Sequence, residues 1–214
     1  MIITDVCFCQ YTTHGHCGIL DKKGLINRKK SLEYLQKQVI SHVNAGSDVI
    51  APSCMIDEMI KYIRDVLDNN QHEDIGILSY AVKYASAFYG PFRDAAHSTP
   101  KYGDRQSYQI YSGNIQEALK EAKIDEDEGA DIIMVKPATP YLDVIHQVKN
   151  LVQCPVAAYQ VSGEYAMIKA ASEKGWIDED KCILESLIGI KRAGANFIIT
   201  YFATYAASLI NNNN

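Results

Sequence analysis

Three of the six cysteines lie within eleven residues near the start of the chain, in the stretch DVCFCQYTTHGHC. Cys7 and Cys9 are two residues apart on an expected β-strand, so both side chains point to the same face, and nearby glycines let Cys17 fold back toward them. Three thiolates can hold one zinc ion and leave a fourth position open for water or substrate, which is typical of a catalytic site. His14 and His16 are interpreted as supporting or proton-transferring groups, although either could be a fourth ligand. The alternative is three buried cysteines that pack as small hydrophobic residues.

Two lysines, Lys83 in SYAVKYASAFYG and Lys136 in IIMVKPATP, each end an otherwise apolar segment. Burial disfavours the charged form of a lysine, so its pKa falls and the neutral amine can attack a carbonyl carbon. Either lysine could therefore form a Schiff base. The alternative for each is a side chain that extends from a strand end into solvent.

Further polar residues could bind carboxylate groups. Arg93 and Arg105 lie on a long segment, and a guanidinium can bind both oxygens of a carboxylate at once. Ser162 and Tyr201 end later apolar segments, and their hydroxyls could hold a second carboxylate. The alternatives are solvated surface charges for the arginines and core packing for the tyrosine.

The elements that would position these residues alternate along the chain. Apolar, β-branched segments of strand length are typical of buried strands, and the segments between them have helical periodicity. The predicted strands are Ile2–Cys7, Asp48–Ser53, Ile75–Lys83, Asp131–Pro137, Pro155–Val161 and Asn196–Phe202. The predicted helices are Ser31–Asn44, Cys54–Asp68, Ile115–Glu128, Tyr141–Leu151, Glu164–Lys174 and Glu179–Arg192.

One local pattern recurs three times, as AGSDVIAPS, EGADIIMVKPA and AGANFIITYFA. In each, a helix-ending glycine precedes a continuous apolar strand, which favours a parallel sheet covered by helices. An open doubly wound sheet fits this pattern as well as a barrel does. However, no glycine-rich phosphate-binding turn follows any strand, which disfavours a dinucleotide-binding fold. In a barrel, the catalytic residues lie at the carboxyl ends of the strands, where the candidate residues are found.

The segment from Gly90 to about Asn114 is too long for an ordinary connector, and its aromatic content predicts a lid over the site. The net charge of -5 and the pI of about 5.7 disfavour nucleic-acid binding, so we expect a small-molecule partner. No apolar run is long enough to span a bilayer and no secretory leader is recognisable, which predicts a cytoplasmic protein that does not bind membranes. In that reducing environment, clustered cysteines favour a metal site over disulfides.

Several segments together resemble the 5-aminolevulinate dehydratase (porphobilinogen synthase) family nearly end to end. They are DVCFCQYTTHGHCGIL, DVIAPSCMIDEMI, SYAVKYASAFYGPFRDA, GDRQSYQ, MVKPATPYLDVI, PVAAYQVSGEYAMIKAA and ITYFA. Many such segments in the same order are far more specific than any single motif.

The resemblance implies a role for each candidate residue. Lys136 matches the Schiff-base lysine for one substrate molecule, and Lys83 matches the lysine that engages the second. The cysteine trio matches the ligands of the zinc-dependent branch. The arginine pair matches the residues that bind one substrate carboxylate, and the two hydroxyl residues match those that bind the other. Glu121 falls at the position that binds an allosteric magnesium in some family members.

The resemblance also implies a TIM (β/α)8-type barrel, of which this sequence shows about six β/α units, without the N-terminal arm and the first two units. Residues 1–210 are expected to form one catalytic domain, and residues 211–214 a disordered tail. The implied reaction condenses two 5-aminolevulinate molecules to porphobilinogen in heme biosynthesis, in a homo-oligomer that is an octamer in the family. Two other hypotheses stay open: a Schiff-base aldolase-type barrel, and an inactive homologue that binds zinc or joins an oligomer.

Overall fold

The computed structural model describes residues 1–99, 101 and 105–212 of the chain. The strands are β1 (Ile3–Val6), β2 (Val49–Pro52), β3 (Gly76–Lys83), β4 (Ile132–Lys136), β5 (Val156–Gln160) and β6 (Phe197–Thr200). The helices are α1 (Arg28–Asn44), α2 (Met59–Asn69), α3 (Gly90–Ala95), α4 (Ile115–Asp127), α5 (Leu142–Leu151), α6 (Ser162–Glu173), α7 (Glu179–Ala193) and α8 (Ala203–Asn212). Two short 3-10 turns cover Ala87–Tyr89 and Thr139–Tyr141.

The six strands form one parallel sheet in strict chain order, from β1 to β6. A doubly wound sheet reverses its strand order, so sequential pairing throughout excludes that alternative. Sequential parallel strands joined by helices are the wall of a (β/α) barrel. The predicted barrel architecture, with six β/α units present, is therefore confirmed.

The main hydrophobic core lies between the outer face of the sheet and the helices. Alternate strand residues face this layer, because successive side chains of a strand point to opposite sides. They include Ile50, Ile77, Ile133 and Val156, which belong to the same core cluster as Leu35, Ile63, Ile145 and Ile190 of the helices. The inner face carries a second, smaller cluster of Val49, Ala51, Leu78, Tyr80, Met134 and Ala157.

Several helices begin at side chains that satisfy free backbone N–H groups. Asn27 accepts from the Lys30 N–H at 3.0 Å, Asn114 from the Glu117 N–H at 3.1 Å, and Asp178 from the Lys181 N–H at 3.1 Å. Such capping stabilises a helix start by about 1 kcal/mol. These residues fix where α1, α4 and α7 start relative to the strands that they follow.

The segment from Gly90 to Asn114 has more structure than the sequence predicted. Its first residues form α3, which leads on from the 3-10 turn after β3. Its end returns to the sheet, where Ile110 pairs with Tyr84 in a parallel bridge. Part of the predicted lid, residues 100 and 102–104, lies outside the described residues, and a closing motion stays a prediction.

The C-terminal helix α8 was not predicted. It includes the first two residues of the predicted disordered tail, while residues 213 and 214 lie outside the described part of the chain. Among the described helices, none combines the length and the apolar character that a membrane span needs.

Candidate functional site

A cavity opens at the carboxyl ends of the strands, on the inner side of the sheet. Most of the residues singled out in the sequence line it together: Cys7, Cys9, Lys83, Arg105, Lys136, Ser162 and Tyr201. They come from segments that are far apart in the chain, and the parallel strands bring them to one end of the barrel. Cys17 lies beneath the cavity with the other two cysteines, and Arg93 lines a neighbouring cavity.

Lys83 reaches the cavity because of an irregularity in β3. Tyr80 faces the inner side, so simple alternation would turn Lys83 outward. The pairing with β4 shifts between Ser79 and Val82, where three residues of β3 span the length of two on β4. A β-bulge of this kind redirects the following side chains, and Lys83 becomes the direct partner of Lys136 in the ladder.

The two lysines share one aromatic neighbour. The Nζ atoms of Lys83 and Lys136 lie 5.7 and 5.1 Å from the centre of the Tyr80 ring. Both amines therefore face the same side of the fold and the same space.

Lys136 has the environment of an amine that is easily deprotonated. Its Nζ lies 4.2 Å from the centre of the Tyr159 ring and 5.4 Å from that of Tyr89. Burial, followed by the positive charge of Lys83, lowers the pKa of Lys136 to about 7. A large fraction of this side chain is thus a neutral amine near pH 7, as nucleophilic attack on a carbonyl requires.

Lys83 is held differently. It is buried, and its Nζ donates a 2.7 Å hydrogen bond to the Ser53 carbonyl oxygen. Burial acts to lower the pKa of Lys83, but negative charge on Cys17, Cys7 and Asp5 outweighs it, so the pKa is raised overall. The two lysines therefore differ in protonation, which is a usual sign of divided roles in one site.

The three clustered cysteines converge. All three are buried, and the sulfur atoms of Cys7, Cys9 and Cys17 lie within 4.8 Å of one another. The Cys7 and Cys9 sulfurs are 3.4 Å apart. Tetrahedral zinc with Zn–S bonds of about 2.3 Å needs sulfurs about 3.8 Å apart, so small side-chain adjustments would let the trio hold one ion.

A fourth buried cysteine, Cys54, adjoins the trio, and the sequence did not assign it a role. Hydrogen bonding with the sulfur atoms of Cys17, Cys54 and Cys9 holds the pKa of Cys7 well below its ordinary value. A ready thiolate suits metal binding, because the thiolate is the form that coordinates. The Cys54 sulfur lies 3.7 Å from the Val6 carbonyl oxygen and is not part of the converging group.

The two arginines are neighbours, but only one of them lines the lysine cavity. Arg105 lines both the lysine cavity and a second cavity, and Arg93 lines only the second. The Nε atoms of both are buried and have no hydrogen-bond partner among the described residues. Burial, followed by the charge of Arg105, lowers the pKa of Arg93, so this pair of cations would be stabilised by an anion.

Gln109 is a candidate that the sequence reading missed. It lines the second cavity beside both arginines, it is buried, and neither atom of its amide group has a partner among the described residues. A buried unpaired amide is costly, and a bound ligand would satisfy it. No pattern around GDRQSYQ distinguishes this glutamine from an ordinary surface residue.

Ser162 and Tyr201 also line the lysine cavity. The Ser162 hydroxyl accepts from the Phe92 N–H at 3.1 Å, which links the start of α6 to α3. Gly163 continues this contact, since an added Cβ would lie 2.5 Å from the Phe88 carbonyl oxygen. Tyr201 is 47% exposed and has its ring beside those of Tyr159 and Tyr165.

Glu164 stabilises the backbone next to the site through hydrogen bonds. Its buried carboxylate accepts from the backbone N–H groups of Val161 at 2.6 Å and Thr139 at 2.7 Å. It therefore ties the turn that follows Lys136 to the end of β5. The sequence suggested only a favourable charge at the start of a helix, because the long-range contact to Thr139 leaves no local pattern.

Glu121 lies away from these residues. It lines a larger cleft on the outer side of the sheet, between α2 and α4, together with Asp57, Asp125 and Glu128. The lysine cavity and this cleft are distinct, so the structure does not bring Glu121 to the candidate site.

Comparison with known proteins points to one family. A family model described as delta-aminolevulinic acid dehydratase matches residues 1–209. The chain is 55% identical over 210 residues to a delta-aminolevulinic acid dehydratase of Synechocystis sp., which covers 97% of the chain and 64% of that relative. It is 54% identical to the enzyme of the same name from Halalkalibacterium halodurans, with 98% and 64% covered.

A solved structure agrees with these relatives. The delta-aminolevulinic acid dehydratase (porphobilinogen synthase) of Toxoplasma gondii ME49, in complex with the reaction product porphobilinogen, superposes with a TM-score of 0.95 at 45% identity. The match covers 97% of the present chain and 60% of that protein. The chain thus spans a little under two thirds of the length of the relatives that it matches.

Proposed function

The chain belongs to the delta-aminolevulinic acid dehydratase family, and from that premise we propose that it is a porphobilinogen synthase, a lyase of heme biosynthesis. Two 5-aminolevulinate molecules condense to one porphobilinogen with loss of two waters. The observation that carries the proposal is the shared cavity of Lys83 and Lys136, with two cysteines and Arg105 in its wall.

Lys136 acts as the nucleophile toward one substrate molecule. Its neutral amine attacks the ketone carbon, the carbonyl oxygen leaves as water, and a protonated imine forms that draws electrons from the adjacent carbon. The rings of Tyr80, Tyr89 and Tyr159 around the Nζ atom support this role, since aromatic faces stabilise a cation and exclude water that would hydrolyse the imine.

Lys83 engages the second substrate molecule. Its hydrogen bond to the Ser53 carbonyl oxygen fixes the amine beside that of Lys136. Holding two reacting molecules on adjacent amines turns a bimolecular encounter into a positioned one, which lowers the barrier through the entropy already lost on binding.

Cys7, Cys9 and Cys17 hold a zinc ion. These residues would give the site a Lewis acid for a carbonyl or hydroxyl oxygen of the second substrate when zinc is bound. The close approach and burial of the three sulfurs support the assignment, because a small thiolate cluster selects zinc over magnesium or calcium.

The two substrate carboxylates are bound by separate groups of residues. Arg105 and Arg93, together with Gln109, bind one of them, and the unpaired buried nitrogens of this group support that role. The hydroxyls of Ser162 and Tyr201, which also line the lysine cavity, bind the other carboxylate.

Residues 1–210 form the catalytic domain of this enzyme. The segment after β3 closes over the bound substrates. The protein works as a homo-oligomer, and the family resemblance implies an octamer. It is a cytoplasmic protein.

The proposal is tested by product formation. Zinc-loaded protein is incubated with 5-aminolevulinate, and mass spectrometry should detect a product equal to two substrate molecules minus two waters. The Lys136→Met variant should form none, while Lys149→Met, a substitution on α5 that does not line the lysine cavity, should retain activity. A folded, zinc-loaded chain that leaves the substrate unchanged would refute the proposal.

A second candidate is an inactive homologue that binds zinc or joins an oligomer. Stoichiometric zinc binding without turnover, both alone and mixed with a full-length family member, would support it over the first.

A further inference from the structure

The loop that carries Cys17 forms several hydrogen bonds with the segment that follows α3. We define the metal loop as residues His14–Cys17. The Lys101 N–H donates to the His14 carbonyl oxygen at 3.1 Å, and the Arg105 guanidinium donates to the Gly15 carbonyl oxygen at 2.8 Å. The metal loop therefore has partners on a segment about ninety residues away in the chain.

The two segments are in close contact at Gly15. Its φ of +73° lies in the left-handed region, and an added Cβ would lie 2.8 Å from the Thr99 carbonyl oxygen and 3.1 Å from that of Ser98. No other residue fits there without a backbone shift. The contact between the metal loop and the following segment is thus built into the backbone.

Tyr108 completes this contact at the metal ligand itself. Its hydroxyl lies 3.4 Å from the backbone nitrogen of Cys17 and 3.2 Å from the Nδ1 atom of His16. A hydroxyl can accept one hydrogen bond and donate another at the same time. The Cys17 N–H donates to the Tyr108 oxygen, and the Tyr108 hydroxyl shares a second hydrogen bond with His16, so one side chain orients two consecutive residues.

Tyr108 is also tied to the arginine that faces the substrate cavity. The backbone N–H groups of Tyr108 and Gln109 donate to the Arg105 carbonyl oxygen at 3.3 and 2.9 Å. This turn holds Arg105 and Tyr108 in a fixed relation. The Arg105 guanidinium also donates to the Gly15 carbonyl oxygen, so a change in the position of Arg105 on carboxylate binding would reach the metal loop.

We propose that Tyr108 is a positioning residue for the metal ligand Cys17, and that through it metal binding and carboxylate binding by Arg105 are coupled. The inference rests on the proposed function, in which the cysteine trio holds zinc. Groups that orient metal ligands typically contribute a factor of about 10 to 100 in metal affinity. Coupling between two ligands is reciprocal, so a carboxylate ligand should tighten the metal as much as the metal tightens it.

The first experiment compares Tyr108→Phe with Tyr111→Phe, which makes the same change at an exposed tyrosine of the same segment. Zinc affinity is measured by competition with a chromophoric chelator, and cobalt(II) substitution reports the thiolate-to-metal absorption bands. Tyr108→Phe should raise the zinc Kd by about tenfold or more and alter the cobalt bands. Tyr111→Phe should match the unaltered protein in both.

The second experiment adds levulinate, a γ-keto acid, to each protein. Levulinate should lower the zinc Kd several-fold in the unaltered protein and in Tyr111→Phe, but not in Tyr108→Phe. The unaltered protein alone tests the coupling: an unchanged zinc Kd in the presence of bound levulinate overturns it, whether or not any variant folds.

The outcomes separate the two proposals. Equal zinc affinity and equal cobalt spectra in Tyr108→Phe and the unaltered protein would overturn the positioning role and leave the proposed function standing. If the unaltered, folded protein binds neither zinc nor cobalt, both the metal assignment of the proposed function and this inference are refuted.

Discussion

At the scale of single residues, the contrast between the two strand-end lysines governs the chemistry. Lys136 is surrounded by aromatic rings and lies near a second cation, and its pKa falls to about 7. Lys83 lies near the sulfur cluster and Asp5, and its pKa is raised. The pKa values of the two amines thus move in opposite directions, because burial and the charge of Lys83 dominate at Lys136 whereas nearby negative groups dominate at Lys83.

The pKa of Lys136 predicts the pH dependence of imine formation. Because only the neutral amine attacks, the rate of cyanoborohydride trapping with levulinate should fall about tenfold per pH unit below about 7 and be nearly flat above it. Lys83→Gln removes a positive charge, so the pKa of Lys136 should rise and the midpoint should move to higher pH. A midpoint near 10 in the unaltered protein, or no movement in the variant, would contradict this explanation.

The cysteine geometry predicts which thiols hold the metal. Cys9→Ala removes one of the three converging sulfurs and should weaken zinc binding by at least about a hundredfold. Cys54→Ala removes a buried thiol outside that group and should leave zinc affinity within a few-fold of the original. Chelator competition measures both. Equal losses in the two variants would mean that Cys54 is itself a ligand.

At the scale of elements, Glu164 predicts a stability effect. Glu164→Ala leaves the backbone N–H groups of Val161 and Thr139 without their partner in a buried position, which should destabilise the fold by about 2–4 kcal/mol. Glu173→Ala, at the exposed end of the same helix, should change the free energy of unfolding by less than about 0.5 kcal/mol. Urea unfolding followed by circular dichroism gives both values. Similar losses of unfolding free energy in the two variants would contradict a stabilising role for the Glu164 hydrogen bonds.

The strands were predictable at the same scale because their apolar runs are continuous and three of them directly follow a helix-ending glycine. The direction in which Lys83 points was not predictable, since it depends on the bulge between Ser79 and Val82. The short helix α3 and the last helix α8 were missed. α3 begins with Gly90 and Pro91, and α8 ends in consecutive asparagines, so local propensity opposes both.

At the scale of the whole molecule, the sequential sheet explains how distant segments build one site. Each strand ends at the same rim, so the six β/α units present their last residues to a common cavity. Contacts within that rim could not be read from the sequence. Tyr108 contacts the metal loop, which is about ninety residues away in the chain. Gln109 lies beside the two arginines only because of how the segment after α3 packs.

Covalent trapping on the whole, zinc-loaded protein tests directly whether Lys136 forms an imine with the substrate. After incubation with 5-aminolevulinate and reduction with borohydride, peptide mass spectrometry should find the mass of one reduced substrate imine on the peptide that contains Lys136. The adduct should be lost in Lys136→Met and kept in Lys149→Met. A protein that remains folded and zinc-loaded but carries no adduct at Lys136, or carries it only on surface lysines, would contradict the account.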